Sequence, residues 1–203
     1  MKISIVAITL ILIETQMVIA KDIKITKDIS SIVAKDKGVD VVIKRTQKPN
    51  SRLNSAFLNA DKECPPNCIQ PMSIGDVKTV GELEVLEFIK EMKDNSNMLL
   101  IDARTRNWYK KGTIPASINL PYTMLKKEGK YINKILTLLG GHKVNGKWNF
   151  DNVQTLLIFG NGVWDDQATL AIKSLLDMGY PADKLRFYRG GVQVWNLAGL
   201  TTK

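Results

Sequence analysis

Apolar residues return with a helical period over residues 82–93, where Val85, Phe88, Ile89 and Met92 fall on one face. Residues 98–101 (MLLI) and 155–159 (TLLIF) are instead short unbroken apolar runs, the pattern of strands buried on both faces of a parallel sheet. A second amphipathic helix is predicted over 167–178, with Ala168, Ala171, Ile172, Leu175 and Leu176 inward and Gly179 as its stop. A third strand follows at 185–188 and a short last helix at 192–197. Strands alternating with helices predict an α/β fold, a parallel sheet with helices on both faces. In such sheets ligands sit beyond the carboxyl ends of the strands, so the loop after Phe159 is the first place to look for chemistry.

The amino-terminal part has a different texture. Residues 39–44 (VDVVIK) are rich in β-branched side chains and predict a strand. Residues 23–26 (IKIT) alternate apolar and polar and are its expected partner, giving a small β extension. Pro49, Asn50 and Ser51 then break the pattern. Asn145-Gly146, between Lys143-Val144 and Lys147-Trp148, has the form of a hairpin turn. At the start of the chain, Lys2 precedes an apolar run over 3–13, and Val18-Ile19-Ala20 supplies compact side chains at cleavage positions. The run is shorter than the roughly 20 residues that span a bilayer, so it reads as a signal peptide cut after Ala20. The expected organisation is a signal peptide at 1–20, an extension at 21–63, a Cys/Pro segment at 64–78 and the α/β domain at 79–203. The mature chain would be exported or periplasmic, with no stable membrane anchor.

Charge changes this picture little. The net charge is +9, but the lysines are scattered, without blocks of like charge or alternation with aromatics. Nucleic acid is not an expected partner. The basic balance implies solubility and a weak pull on anionic partners.

Three segments carry a resemblance. Ile101-Asp102-Ala103-Arg104 with GTIPASINLP (112–121), the stretch LIFGNGVWDDQA (157–168), and LRFYRGGVQVWNLAGL (185–200) follow in the order of the rhodanese signature. The resemblance spans about 79–200 and implies the rhodanese-like fold, with 160–168 as the loop that in relatives holds a sulfur-carrying cysteine. It also implies structural duty for Asp102 and Arg104 at the strand end, and for Gly190, Gly191 and Trp195 in the closing turn and helix. More narrowly, CPPNCIQPM (64–72) resembles a segment ahead of the domain in exported bacterial rhodanese-like proteins. Their loop commonly reads Cys-Asn-Gly-x-Trp-Cys-x-Gln-Ser. The present loop, Gly160-Asn161-Gly162-Val163-Trp164-Asp165-Asp166-Gln167-Ala168, keeps Asn161, Gly162, Trp164 and Gln167. Gly160 and Asp165 stand where the cysteines would be, and Ala168 where the serine would be.

These replacements bear on chemistry. Sulfur transfer needs a nucleophilic sulfur able to hold the transferred atom. Gly160 has no side chain, so covalent relay through this loop is excluded, and the protein is expected to lack thiosulfate sulfurtransferase activity. A phosphatase reading fails as well, for want of a loop cysteine and of an arginine near the helix start. Asp165 and Asp166, placed at the loop mouth, are expected to cap the helix beginning near Gln167. A cation or amine site built from the two is the alternative. Trp108 and Trp195 read as core or rim, Trp164 as the aromatic of the loop itself, and His142 as a loop residue.

Cys64 and Cys68 are the remaining candidates for chemistry. With Cys64 capping a helix whose first turn holds Pro65 and Pro66, Cys68 would lie one turn on, within disulfide reach. In an oxidising compartment the leading reading is a structural bridge, worth about 2 kcal/mol for so short a loop. A redox or sulfur-accepting pair is the first alternative. The second is copper handling, with Met72 or His142 as further soft ligands. Haem lacks its Cys-x-x-Cys-His motif and zinc lacks ligands, so no cofactor or resident metal is expected. The sequence thus points to an exported binding or accessory module, its partner a protein or a small sulfur-containing anion. The rivals are a sulfurtransferase or thiol-redox protein using Cys64 and Cys68, and a copper-handling protein.

Overall fold

A computed structural model describes residues 23–48, 50–53, 55–58 and 62–203. The expected signal peptide lies outside them. In chain order, β1 (Ser31–Asp36) and β2 (Val39–Lys44) form an antiparallel ribbon. The domain then runs β3 (Lys78–Val80), α1 (Glu82–Glu91), β4 (Met98–Asp102), α2 (Arg106–Lys110), β5 (Ile118–Asn119) and α3 (Ile132–Leu138). A hairpin of β6 (His142–Val144) and β7 (Lys147–Asn149) precedes β8 (Thr155–Phe159), α4 (Gln167–Asp177), β9 (Leu185–Tyr188) and α5 (Gly191–Leu197). The five-stranded sheet has the order β3-β9-β8-β4-β5, and every pairing in it is parallel.

The β8 strand is central, and alternate residues of the sheet feed two cores. Ile101, Leu156, Ile158, Leu185 and Phe187 join α3 and α4 on one face. Leu100, Leu157, Phe159 and Tyr188 join α1 and α5 on the other. The predicted turn at Asn145-Gly146 is present, with both residues at positive φ (50° and 78°), the requirement of a tight two-residue hairpin.

The amino-terminal expectation is corrected in one respect. The partner of β2 is β1, not residues 23–26. The Ile25 and Thr26 N–H groups both donate to Ile29 O and close a local turn. Lys37-Gly38, at φ 51° and 83°, makes a tight turn that folds β1 back on β2. This ribbon is an extension by sequence but a core element by packing. Ile32, Ala34 and Ile43 are buried in the same cluster as Val85 and Trp195. The chain's end is tied to it as well, for Thr201 N–H donates to Lys44 O and Lys203 Nζ pairs with Asp36. Among the described residues, no helix is long and apolar enough to cross a membrane.

Candidate functional site

Parallel register aligns Asp102, Phe159 and Tyr188 at the carboxyl edge of the three middle strands. The segments leaving these residues therefore meet at one place: 103–105, the loop 160–166, and the Gly190-Gly191 turn. The first N–H groups of α5 grip the loop from outside. Val192 N–H donates to Gly160 O (3.1 Å) and Gln193 N–H to Asn161 O (2.8 Å). Gly191 makes this approach possible. Its φ is +57°, and a Cβ there would lie 2.5 Å from Gly160 O.

With those carbonyls turned toward α5, the Asn161 N–H faces the loop interior, where it meets Asp165. The Asp165 Oδ2 atom accepts this N–H at 2.6 Å. Its Oδ1 accepts the Gln167 side-chain amide at 2.8 Å and the Gln167 backbone N–H at 3.3 Å. The carboxylate is buried, only 4% of the residue being exposed. It fills the space that a side chain at Gly160 would need, since a Cβ built there lies 2.6 Å from Oδ2. Burial pushes the Asp165 carboxyl above its ordinary value of 3.8, against the hydrogen bonds from Asn161 and Gln167, which pull it down.

The sequence reading placed Asp165 and Asp166 together at the mouth as helix caps, and the structure separates them. Asp166 holds the N-cap position of α4 but makes no side-chain capping bond. Asp165 turns inward and satisfies loop and helix N–H groups together. Among the described residues, no group of three or more His, Cys, Asp or Glu side chains is placed to hold a metal ion.

Asp102 and Arg104 form a fully buried bidentate pair, with Arg104 Nη2 2.6 Å from Asp102 Oδ2 and Nε 2.9 Å from Oδ1. Arg104 also donates to Gly112 O (2.7 Å) and Asn161 Oδ1 (3.3 Å), and Thr113 Oγ1 to Asp102 Oδ2 (2.7 Å). The pair thereby joins the 112–117 segment to the loop. Gln167 Oε1 accepts the Thr105 N–H, adding a second tie. Trp195 is buried in the core and donates to Thr201 O.

The outer side of the loop is aromatic. Trp164 is half-buried, with ring centroids 6.4 Å from Trp108, which in turn lies 5.8 Å from Phe57. Gln193 bridges this rim, accepting from Trp164 Nε1 and donating to Phe57 O. The segment 62–72 lies against the same loop. Lys62 Nζ stands 4.1 Å from the Trp164 ring centroid, and Gln70 N–H donates to Val163 O (2.8 Å). Arg189 holds Gln70 O through Nε and Nη2. Lys62, Gln70, Arg189 and Gln193 escaped sequence reasoning because their roles arise only when distant segments meet. Cys64 and Cys68 are joined in a disulfide, though Cys64 begins a turn and not the expected helix. Within the bridge neither sulfur offers a thiolate to copper. His142 is exposed on β6.

The rhodanese-like domain model matches residues 85–198. No curated protein matches in sequence. Among solved structures, the chain is similar to a Rhodopseudomonas palustris protein of unknown function described as a possible tyrosine phosphatase. They share 19% identity over 66% of this chain and 99% of that one, at a TM-score of 0.45. A human single-domain sulfurtransferase is 20% identical over 60% of this chain and 96% of that one, at 0.42. A thiosulfate sulfurtransferase from Pseudomonas aeruginosa is 19% identical over 63% of this chain but only 20% of its own length, at 0.44. With the family match covering more than half of its length, on a parallel sheet whose central strand feeds the glycine-rich loop, this chain belongs to the rhodanese-like domain family.

Proposed function

We propose that this chain is exported, cut after Ala20, and works as a rhodanese-like accessory module, a pseudoenzyme that carries no sulfur through its loop. The observation behind this reading is the exchange of roles at the loop floor. Gly160 offers no nucleophile, and the Asp165 carboxylate lies where one would stand, accepting the Asn161 N–H. An N–H group that would stabilise a persulfide anion instead answers a fixed carboxylate. A sulfur oxyanion entering the loop would meet that negative charge and find this donor already engaged. The reading therefore favours a protein partner over a small sulfur-containing anion, with the half-buried Trp164 and Trp108 rim as the face it would meet.

The test is thiocyanate formation from thiosulfate and cyanide by the purified mature chain, with the rate expected at the protein-free background. Turnover abolished by Cys64→Ser would overturn the proposal. Amino-terminal sequencing of exported protein is expected to begin at Lys21, and a retained leader would remove the export element.

A further inference from the structure

The CPPNC turn is left unused by this reading, and its placement is specific. Cys64 and Cys68 are four positions apart, so their bridge closes a very short loop and constrains little of the unfolded chain. Cross-linking is thus a weak reason for it. The two sulfurs also belong to residues of unequal exposure, Cys64 lying open and Cys68 half-buried. Asn67 donates twice to Glu63 O, and Cys68 O accepts the Gln70 side-chain amide at 2.7 Å, so the turn keeps its own hydrogen bonds apart from the bridge. Both flanks are fixed to the loop, Lys62 against the Trp164 ring and Gln70 against Val163 O. Arg189 clamps Gln70 from the far side. An open disulfide is therefore presented on a turn with its own hydrogen bonds, beside the aromatic rim.

We propose that Cys64 and Cys68 form a thiol–disulfide exchange site for a protein dithiol, with Cys64 as the attacked sulfur. One partner thiolate attacks Cys64 Sγ, the Cys64–Cys68 bond breaks, and its electron pair leaves on Cys68 Sγ. The second partner thiolate then attacks the partner's own sulfur in the mixed disulfide and releases Cys64 as thiolate. The partner dithiol is oxidised to a disulfide, the Cys64–Cys68 pair is reduced, and the two partner protons end on the two released thiols. Exposure favours Cys64 as the entry point, and the half-buried Cys68 is the leaving sulfur. Because the turn is tied to Trp164, the change of state is felt at the loop rim.

The experiment equilibrates the mature chain with reduced and oxidised dithiothreitol at graded ratios, then with a synthetic Cys-x-x-Cys dithiol peptide, and reads the thiol state by alkylation and mass spectrometry. Reversible reduction with an unchanged far-ultraviolet circular dichroism spectrum is expected. So is a change in indole emission that disappears in Trp164→Phe. In Cys68→Ser a single-cysteine version of the peptide, supplied as its mixed disulfide with 2-nitro-5-thiobenzoate, is expected to transfer to Cys64 and stay there as a stable mixed disulfide with release of the aryl thiolate, at least ten times faster than to Cys68 in Cys64→Ser. The proposal is overturned if reduction unfolds the domain, if the bridge resists dithiol ratios that reduce an isolated peptide of the 62–72 sequence, or if the two cysteines react equally. Thiocyanate formation reports on the loop and alkylation on the bridge, so this proposal and the accessory-module reading can fail separately.

Discussion

Asp165 Oδ2 lies 2.6 Å from the point where a side chain at Gly160 would begin, and the same oxygen accepts the Asn161 N–H. The two departures from the cysteine-bearing loop are therefore coupled. A carboxylate fits inside the loop because residue 160 is bare, and residue 160 must stay bare while the carboxylate is there.

Restoring one cysteine should accordingly fail. Gly160→Cys drives its Cβ into the Asp165 carboxylate, an overpacking expected to cost about 1–3 kcal/mol. It should yield no thiocyanate. The double variant Gly160→Cys with Asp165→Ala removes the clash and frees the Asn161 N–H for a thiolate. It is expected to recover stability relative to the single variant and to gain one sulfur atom in mass on exposure to thiosulfate. Chemical denaturation and intact-protein mass spectrometry check the pair. A stable, active Gly160→Cys protein would show that the two positions are independent.

The titration of Asp165 has a definite sign. Its folded value is raised above the ordinary 3.8, chiefly by burial. As pH falls through that raised value, the folded chain takes up the proton before the unfolded chain does. This contribution to stability is complete below about 3.8 and is lost as pH rises through the folded value. The thermal midpoint of the native chain, referenced to Asp165→Asn, should therefore rise on acidification from neutral pH toward about pH 4. The reference subtracts the other carboxylates. A difference that falls over the same range would mean that the hydrogen bonds from Asn161 and Gln167 outweigh burial.

Three of the sheet strands, β4, β8 and β9, and the two main helices were legible because each is long enough to show a period or an unbroken apolar run. The 155–159 and 185–188 strands have the predicted bounds. The β3 and β5 strands, with three and two residues, carry no readable alternation, and α3 has no strong capping signal. The 23–26 pairing went wrong because IKIT has strand-like alternation, whereas the deciding feature was a Lys37-Gly38 turn that only φ reveals. In the site, the missing thiol was plain from Gly160. The inward turn of Asp165 was not, since a carboxylate just before a helix ordinarily reads as a solvent-facing cap. Distinguishing the two requires knowing that nothing at residue 160 blocks the interior.

The ribbon's share in the core gives a stability prediction. Ile43 is fully buried against the cluster that includes Val85 and Trp195. Ile43→Ala should cost about 2–5 kcal/mol, the range for deleting a buried aliphatic side chain. Val42, on the other face of the same strand and 48% exposed, should tolerate Val42→Ala with about 0.5 kcal/mol or less. Urea denaturation compares them. Equal effects would mean that the ribbon is held by its backbone pairing alone.

Asp102 and Arg104 should behave as a unit that cannot be halved. Both side chains are fully buried, and each has partners beyond the other, Thr113 for Asp102 and Gly112 and Asn161 for Arg104. Asp102→Leu leaves a buried guanidinium without its counter-charge, and a loss of about 3–5 kcal/mol is expected. Arg104→Met leaves a buried carboxylate instead and should cost a similar amount. The double variant Asp102→Leu with Arg104→Met removes both charges, so its cost should be well below the sum of two such losses. It should remain above zero, because Gly112 O and Asn161 Oδ1 lose donors that no apolar side chain replaces. A double-mutant cycle in urea measures the coupling. Strict additivity would mean that the two side chains act through separate partners, and that Arg104 serves the loop rather than the strand end.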